Sequence, residues 1–263
     1  MLNKLLKYDL KYMIRNMGIF YILAIFFAIT TRILFQMEQS VMVNIISQIS
    51  VGCMFAMVAN IIINAMMRSW VRFRDSIYKD EAYLTHTLPV TKNAIYDSKF
   101  FQALIFFVVS FIVVIISLFI TYYTKDNWIA LKAYIENITT GLNSSTALII
   151  LAFLAVVFVE IFNAIQCGFL GIILGYKQNN NKIAFSVLFG FGAYLISQTI
   201  VLASVFVIGL FDSSIMGLFK PDVLLNVDAF KMMVVIAIII YVIIITLMNL
   251  ICKKVLNKGV NIE

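Results

Sequence analysis

The chain has 263 residues, of which 63% are hydrophobic and only 13% carry a charge. Soluble domains are about half apolar and about a quarter charged, so a water-soluble fold of this size could not bury these side chains. The composition therefore predicts a membrane protein. In a soluble protein the net charge of +7 would suggest nucleic acid as a partner, but here we expect none, because basic residues collect in cytoplasmic loops.

Apolar residues run continuously rather than alternating, for example over residues 100–123, and this pattern excludes the strands of a membrane barrel. Only two prolines occur, Pro89 and Pro221, so long uninterrupted helices are allowed. Inside lipid the backbone must satisfy its own hydrogen bonds, as a helix does. We therefore predict an all-α integral membrane protein with about six transmembrane helices.

Residues 1–16 have the pattern of an amphipathic helix. The apolar stripe consists of Leu2, Leu5, Leu6, Leu10 and Met13, and the basic residues are Lys4, Lys7, Lys11 and Arg15. A basic amphipathic helix of this kind binds the surface of an anionic leaflet. We expect an interfacial helix that contacts membrane lipid before the chain turns into the bilayer.

Six apolar segments follow in chain order. The predicted spans are residues 17–35, 45–67, 100–123, 146–176, 183–211 and 230–252. The predicted connections are a charged segment over 68–99, a polar loop to about residue 145, a tight turn over Tyr176–Lys182 and a partly apolar loop over 212–228 that can return toward the membrane. Since no internal repeat or linker interrupts the series, we expect a single transmembrane domain over 1–263.

The distribution of basic residues predicts the orientation. Lys and Arg in the connecting segments fall mostly on the side of the N-terminus, and the positive-inside rule then places both termini in the cytoplasm. The frequent use of Ile, Asn, Lys and Phe is typical of an AT-rich bacterial genome. We therefore predict a multi-pass protein of a bacterial cell membrane.

The charged segment 68–99, which we call the elbow, is the most informative part of the chain. Its first half continues the helical pattern of the second span toward the cytoplasm. Pro89 ends regular helix and restricts Leu88, and Thr91 is suited to cap the helix that enters the third span. We therefore predict two helices joined by a sharp bend at the membrane surface.

The elbow combines mixed charges with apolar side chains that we expect to be exposed, namely Phe73, Tyr78, Tyr83 and Leu84. Aromatic residues and Arg are favoured in protein contacts, so one hypothesis is a docking surface for a protein partner. The other hypothesis is an ordinary solvated loop with a helical extension. The residues alone leave both open.

A motif in the elbow resembles the first cytoplasmic loop of ABC-2-type permeases, the membrane subunits of ABC exporters. It consists of Glu81, Ala82, Leu84, Leu88, Pro89, Val90, Thr91, Lys92, Ile95 and Lys99. The basic amphipathic N-terminus and the six spans are similar to that family as well. The chain departs from the family at Ala82 and Ser98, where Gly is frequent.

The resemblance implies that the elbow couples this chain to a separate ATP-binding subunit. The residues implied in that contact are Arg72, Phe73, Arg74, Tyr78, Asp80, Glu81, Tyr83, Leu84, Leu88 and Pro89. No GxxxxGK[S/T] phosphate-binding loop occurs in the sequence, so ATP and Mg²⁺ are expected in the partner, with no cofactor and no enzymatic activity in this chain. The family also implies a second permease copy or a sister permease, and export of a small molecule, an amphiphile or a peptide.

Polar residues inside the spans allow two interpretations. Glu160, Asn163 and Gln166 form one stripe on the fourth span, and Asn60 and Asn64 stack on the second. An intramembrane carboxylate must face protein or a wet cavity, so these residues could line a translocation path. The purely structural interpretation, which we favour, is hydrogen bonding between helices. Gly171 and Gly175 form a GxxxG pattern, which predicts close helix approach.

Two other functional classes remain open. An intramembrane enzyme would use Glu160, Asn163 and Gln166 as its polar centre, but the sequence provides no second acid, base or metal set at that depth, and we expect no catalytic or metal-ligating residue. The single His86 has no sequence partner for catalysis. The third class is an ATP-independent scaffold or channel.

Overall fold

A computed structural model describes residues 2–38, 40–139, 146–211, 215 and 227–259. These residues form helices and connecting turns, and no strand occurs among them. The helices are α1 (Leu2–Gln36), α2 (Val41–Ile77), α3 (Ala82–Thr87), α4 (Lys92–Tyr122), α5 (Lys125–Thr139), α6 (Thr146–Gly175), α7 (Lys182–Phe211) and α8 (Val227–Asn257).

Six of these helices are long and apolar enough to cross a membrane. The membrane-crossing segments are Asn3–Gln36, Val41–Ile77, Lys92–Tyr122, Ile150–Gly175, Lys182–Phe211 and Lys231–Asn257. The chain is therefore an all-α, multi-pass integral membrane protein, and the fold class predicted from its sequence is confirmed.

The first sixteen residues do not form a separate interfacial helix, so that prediction is wrong. They continue without a break into the first span as the single helix α1. The reason is one unbroken stripe of fully or almost fully buried side chains, including Asp9, Met13, Met17, Ala24 and Ala28. Packing this stripe against α2 and α4 favours one continuous helix over a turn at the membrane surface.

The polar loop expected after the third span contains a helix, α5, over Lys125–Thr139. The hydroxyl oxygen of Thr124 accepts a hydrogen bond of 3.0 Å from the Asn127 amide and so caps its first turn. Asp126 in that turn also favours helix. The loop predicted over 212–228 lies largely outside the described residues, apart from the start of α8 and Ile215.

The chain divides into two compact units, Met1–Ile129 and Ala130–Glu263. In the first unit α1, α2 and α4 pack together around Ala24, Ile61 and Val114. Two hydroxyl pairs, Tyr21 with Ser110 at 2.7 Å and Thr31 with Ser50 at 2.8 Å, add hydrogen bonds between these helices. Whether the two units act as one domain stays a prediction.

In the second unit α6, α7 and α8 pack together, and α6 meets α7 along a glycine seam. A Cβ atom at Gly171 would lie 2.5 Å from the backbone of Gly190, and one at Gly175 would collide with Ser186. Only Gly lets two helix backbones come this close. The predicted role of the GxxxG pattern is confirmed.

Candidate functional site

The elbow has the predicted form of two helices and a bend. Helix α2 continues to Ile77, and the short helix α3 follows after one turn. The backbone is extended at Leu88, directly before Pro89. The Thr91 hydroxyl oxygen then accepts a hydrogen bond of 3.3 Å from the Ala94 amide, so the predicted cap of α4 is confirmed.

One side of the elbow presents apolar side chains to the outside. Tyr83 is 74% exposed, Leu84 69% and Leu88 42%. Asp80 and Pro89 are exposed beside them. Of the residues implied in partner binding, these five have the exposure that a contact requires.

Phe73 and Tyr78 are buried, so the expectation that they are exposed is wrong. Phe73 is 0% exposed and its ring meets the edge of Tyr96 on α4, with ring centroids 6.0 Å apart. Tyr78 is 3% exposed. These rings pack the end of α2 against the rest of the unit, and an aromatic residue gains more from such burial than from solvent contact. Arg74 pairs with Asp75 at 2.8 Å.

Beneath the elbow lies an ionic cluster centred on Asp9 of α1. Lys99 of α4 donates hydrogen bonds of 2.7 and 2.8 Å to its two carboxylate oxygens. Arg72 of α2 donates from its Nε at 3.0 Å and Ser98 from its hydroxyl at 3.1 Å. The Asp9 side chain is 3% exposed and that of Lys99 is 6% exposed, so the pair is shielded from water.

Arg72 connects this cluster to the elbow. A second nitrogen of its guanidinium pairs with Glu81, the residue directly before α3. Its plane also lies over the Tyr12 ring, 4.6 Å from the centroid, which is a favourable cation–π position. We call Asp9, Arg72, Glu81, Ser98 and Lys99 the Asp9 cluster.

The Asp9 cluster contains two cations and two carboxylates, so it is balanced in charge and is not an anion site. A small cavity of about 130 Å³ lies against it, with Leu5, Tyr8, Thr85 and Ile95 on its remaining walls. Buried ion pairs add little net stability, but the loss of one partner is costly because the others stay buried and charged. The arrangement therefore fixes the positions of α1, α2, α4 and the start of α3 relative to each other.

His86, for which catalysis was not expected, has a structural contact. Its Nε2 atom lies 3.0 Å from the carbonyl oxygen of Ile77, the last residue of α2. This hydrogen bond closes the turn between α2 and α3. The elbow is thus held from within by His86 and from below by the Asp9 cluster.

Two polar residues of the fourth predicted span, Asn163 and Glu160, contact α7. The Asn163 amide donates a hydrogen bond of 2.8 Å to the Ser197 hydroxyl, and both side chains are buried. This contact agrees with the interpretation of interhelical hydrogen bonding. Glu160 accepts a long hydrogen bond of 3.4 Å from the Tyr194 hydroxyl, and Gln166 is fully buried.

Within the part of the chain that the structure describes, Asn60 and Asn64 form no hydrogen bond to another helix. The Asn64 amide instead reaches back to the carbonyl oxygen of Asn60 at 3.0 Å and to its side-chain oxygen at 3.3 Å. Side chains four residues apart face each other on a helix, and this local contact needs no partner helix.

Asp9 is the site residue that sequence reasoning missed. Its position on the apolar stripe, four residues before Met13, was the available signal, because a lone carboxylate among apolar residues requires a buried partner. That partner is Lys99, ninety positions along the chain, and no local pattern points to it.

Among the residues that the structure describes, no group of three or more His, Cys, Asp and Glu side chains could hold a metal ion. Compared with known protein families, curated proteins and solved structures, the chain shows no match.

Proposed function

We propose that this chain is the permease subunit of an ATP-driven exporter of the ABC-2 type. A separate ATP-binding subunit binds and hydrolyses ATP with Mg²⁺, and the elbow receives the movement that follows. The observation that carries the proposal is the elbow itself: a short helix beside a Leu-Pro bend, with three apolar side chains directed outward at the end of two spans.

The exposed residues of the elbow suit a protein partner. Tyr83 and Leu84 are adjacent on α3 and both are mostly exposed, while Leu88 and Pro89 extend the apolar surface to the bend. Aromatic and large apolar groups, when they are enclosed by a partner, supply most of the energy of a contact. Exposed charge from Asp80 borders this surface and would contribute to specificity.

The Asp9 cluster supports a relay from this surface into the membrane. Displacement of α3 acts on Glu81, and Glu81 is paired with Arg72. Arg72 shares Asp9 with Lys99, so the movement reaches α1 and α4 without passing through flexible chain. Coupling of this kind requires contiguous, well-packed contacts, and the cluster provides them.

In this proposal the elbow and both termini lie in the cytoplasm, as the distribution of Lys and Arg predicts. A second copy of the chain, or a sister permease, completes the transporter. Its cargo is a small molecule, an amphiphile or a peptide that enters from the membrane phase.

Purification of the chain from its native membrane in a mild detergent tests the proposal. We expect an ATP-binding subunit to copurify. Joint replacement of Tyr83→Ala and Leu84→Ala should lower its recovery at least about tenfold, because truncation of a contact hot spot costs about 2 kcal/mol or more.

Leu202→Ala on α7 is the matched control, since Leu202 is 70% exposed and Leu84 is 69% exposed. The control should recover the partner at the native level. If the native chain brings no ATP-binding subunit, or if the double variant and the control recover it equally, the proposal is wrong.

A further inference from the structure

Glu160 lies deep within a membrane span. It is ten residues inside the segment Ile150–Gly175 and fifteen residues from its end. At about 1.5 Å per residue, it is about 15 Å from the start of that segment. Helix α6 therefore carries an ionisable group near the middle of the hydrocarbon layer.

Glu160 and three other polar side chains, from three helices in all, form a network that we call the Glu160 network. The Tyr194 hydroxyl of α7 donates to Glu160 at 3.4 Å. Gln198 lies one turn further along α7, and its side-chain oxygen accepts a hydrogen bond of 2.8 Å from the Tyr241 hydroxyl of α8. Glu160, Tyr194 and Gln198 are each partly exposed at the surface of the unit, while Tyr241 is buried.

The Glu160 carboxylate is poorly satisfied. A carboxylate has about four acceptor positions, and from the described residues Glu160 receives one long hydrogen bond. The Tyr241 hydroxyl is already engaged with Gln198, so it does not supply a second. Within the described part of the chain Glu160 has no ion pair.

An ionised carboxylate without a counter-charge is very unfavourable in hydrocarbon. A cation brought in by a ligand would remove that cost. Aromatic rings next to a carboxylate are the chemistry that recognises organic cations, because the ring face attracts positive charge. Tyr194, which donates to Glu160, supplies such a ring, and the partial exposure of Glu160 and Tyr194 leaves a way in from the surface of the unit.

We propose that the Glu160 network binds the positively charged group of a lipophilic cation within the membrane. Glu160 supplies the counter-charge, and Tyr194 positions the carboxylate and offers its ring to the cation. As a cargo site this inference rests on the proposed export function, but binding itself requires only the purified chain.

Tetraphenylphosphonium is a suitable probe, because it is a permanent cation that partitions into membranes. With the full chain in lipid nanodiscs, we expect saturable binding of radiolabelled probe. Unlabelled tetraphenylphosphonium should displace it, whereas the uncharged triphenylphosphine oxide should not. A lipid-soluble carbodiimide should label Glu160, and the probe should protect against that labelling.

Three variants assign the binding to named groups. Glu160→Gln should weaken it at least about tenfold through loss of the counter-charge, and Glu160→Asp should retain part of it. Tyr194→Phe keeps the ring and removes one hydrogen bond, so a loss of about twofold to fivefold is expected. Glu38→Gln, the same change at an exposed carboxylate, is the control and should bind like the native chain.

If Glu160→Gln binds the probe as tightly as the native chain, or if the native chain shows no saturable binding, the site is wrong and the carboxyl only joins helices. A chain that copurifies with an ATP-binding subunit but does not bind the probe overturns the site and leaves the proposed function standing. A chain that binds the probe through Glu160 but does not copurify with an ATP-binding subunit supports the site and overturns the proposed function.

Discussion

The two units hold a carboxylate in opposite ways. In the first unit Asp9 accepts hydrogen bonds from Lys99, Arg72 and Ser98, all within 3.1 Å. Two of these donors are cations, so the negative charge of Asp9 is compensated. In the second unit Glu160 receives one hydroxyl at 3.4 Å and no cation among the described residues. The Asp9 carboxylate is therefore fully engaged in structural contacts, whereas the Glu160 carboxylate has room for a further partner.

The units also differ in what holds their helices together. Charged and hydroxyl side chains join α1, α2 and α4, whereas α6 and α7 approach through glycine and through neutral hydrogen bonds such as that of Asn163 with Ser197. We infer that removal of charge damages the first unit and leaves the second intact, while added volume damages the second.

Asp9→Asn should destabilise the protein most. It leaves Lys99 and Arg72 buried beside a neutral amide, and breaking a buried pair costs about 3–5 kcal/mol. Thermal unfolding in detergent with a thiol-reactive dye would measure the change, because Cys53, Cys167 and Cys252 are thiols rather than members of disulfides. Asp80→Asn, an exposed carboxylate of the elbow, should unfold like the native chain.

The joint variant Asp9→Leu and Lys99→Met separates charge from packing. It removes both members of the most buried ion pair, so we expect it to recover part of the stability that Asp9→Asn loses. A joint variant less stable than Asp9→Asn would contradict the view that uncompensated charge causes the loss.

Gly171→Ala should cost about 1–3 kcal/mol, because the new methyl group would meet the Gly190 backbone, which cannot rotate away as a side chain can. Gly192→Ala on α7 is the control, since a Cβ atom there meets nothing within 4 Å. The control should be neutral or slightly stabilising, because Ala favours helix over Gly by up to about 1 kcal/mol. Equal unfolding temperatures for the two variants would disprove the close seam.

Asn163→Leu should have a smaller effect, of about 0.6 to 1.7 kcal/mol, as measured for hydrogen bonds between membrane helices. The bond with Ser197 is short and buried, so the loss should fall toward the upper end of that range. Ser197→Ala should cost a similar amount, and the double variant should cost less than the sum of both. Additive losses would mean that the two side chains do not interact.

Glu160→Gln should change stability least, by less than about 1 kcal/mol, since only one long hydrogen bond is altered and no buried cation is left behind. The same unfolding measurement applies. A loss as large as that of Asp9→Asn would show that Glu160 is a structural centre, and the contrast between the two carboxylates would be lost.

Much of the fold could be predicted from the sequence because the signals are local. Apolar runs locate the six spans, Pro89 and Thr91 fix the bend and the start of α4, and polar Tyr176–Lys182 forms the turn between α6 and α7. The position of Asn181 in the left-handed region, at φ 51, agrees with the tolerance of Asn for that conformation.

The rest depends on contacts between distant residues. The continuity of α1 and the burial of Phe73 follow from packing against α4, which composition does not reveal. Asp9 and Lys99 meet only because α1 and α4 lie side by side. The same holds for the residues proposed for partner binding. The tertiary structure, and not the local sequence, determines that Tyr83 is exposed and that Tyr78 is buried.

A photo-reactive amino acid placed at position 84 in the native membrane would test the central claim most directly. We predict that irradiation links Leu84's position to an ATP-binding protein, with a yield that changes when ATP is added, while position 202 links only to lipid or membrane proteins. If positions 84 and 202 give the same products and no nucleotide-binding protein is among them, the elbow is not a coupling surface and the account of a permease fails.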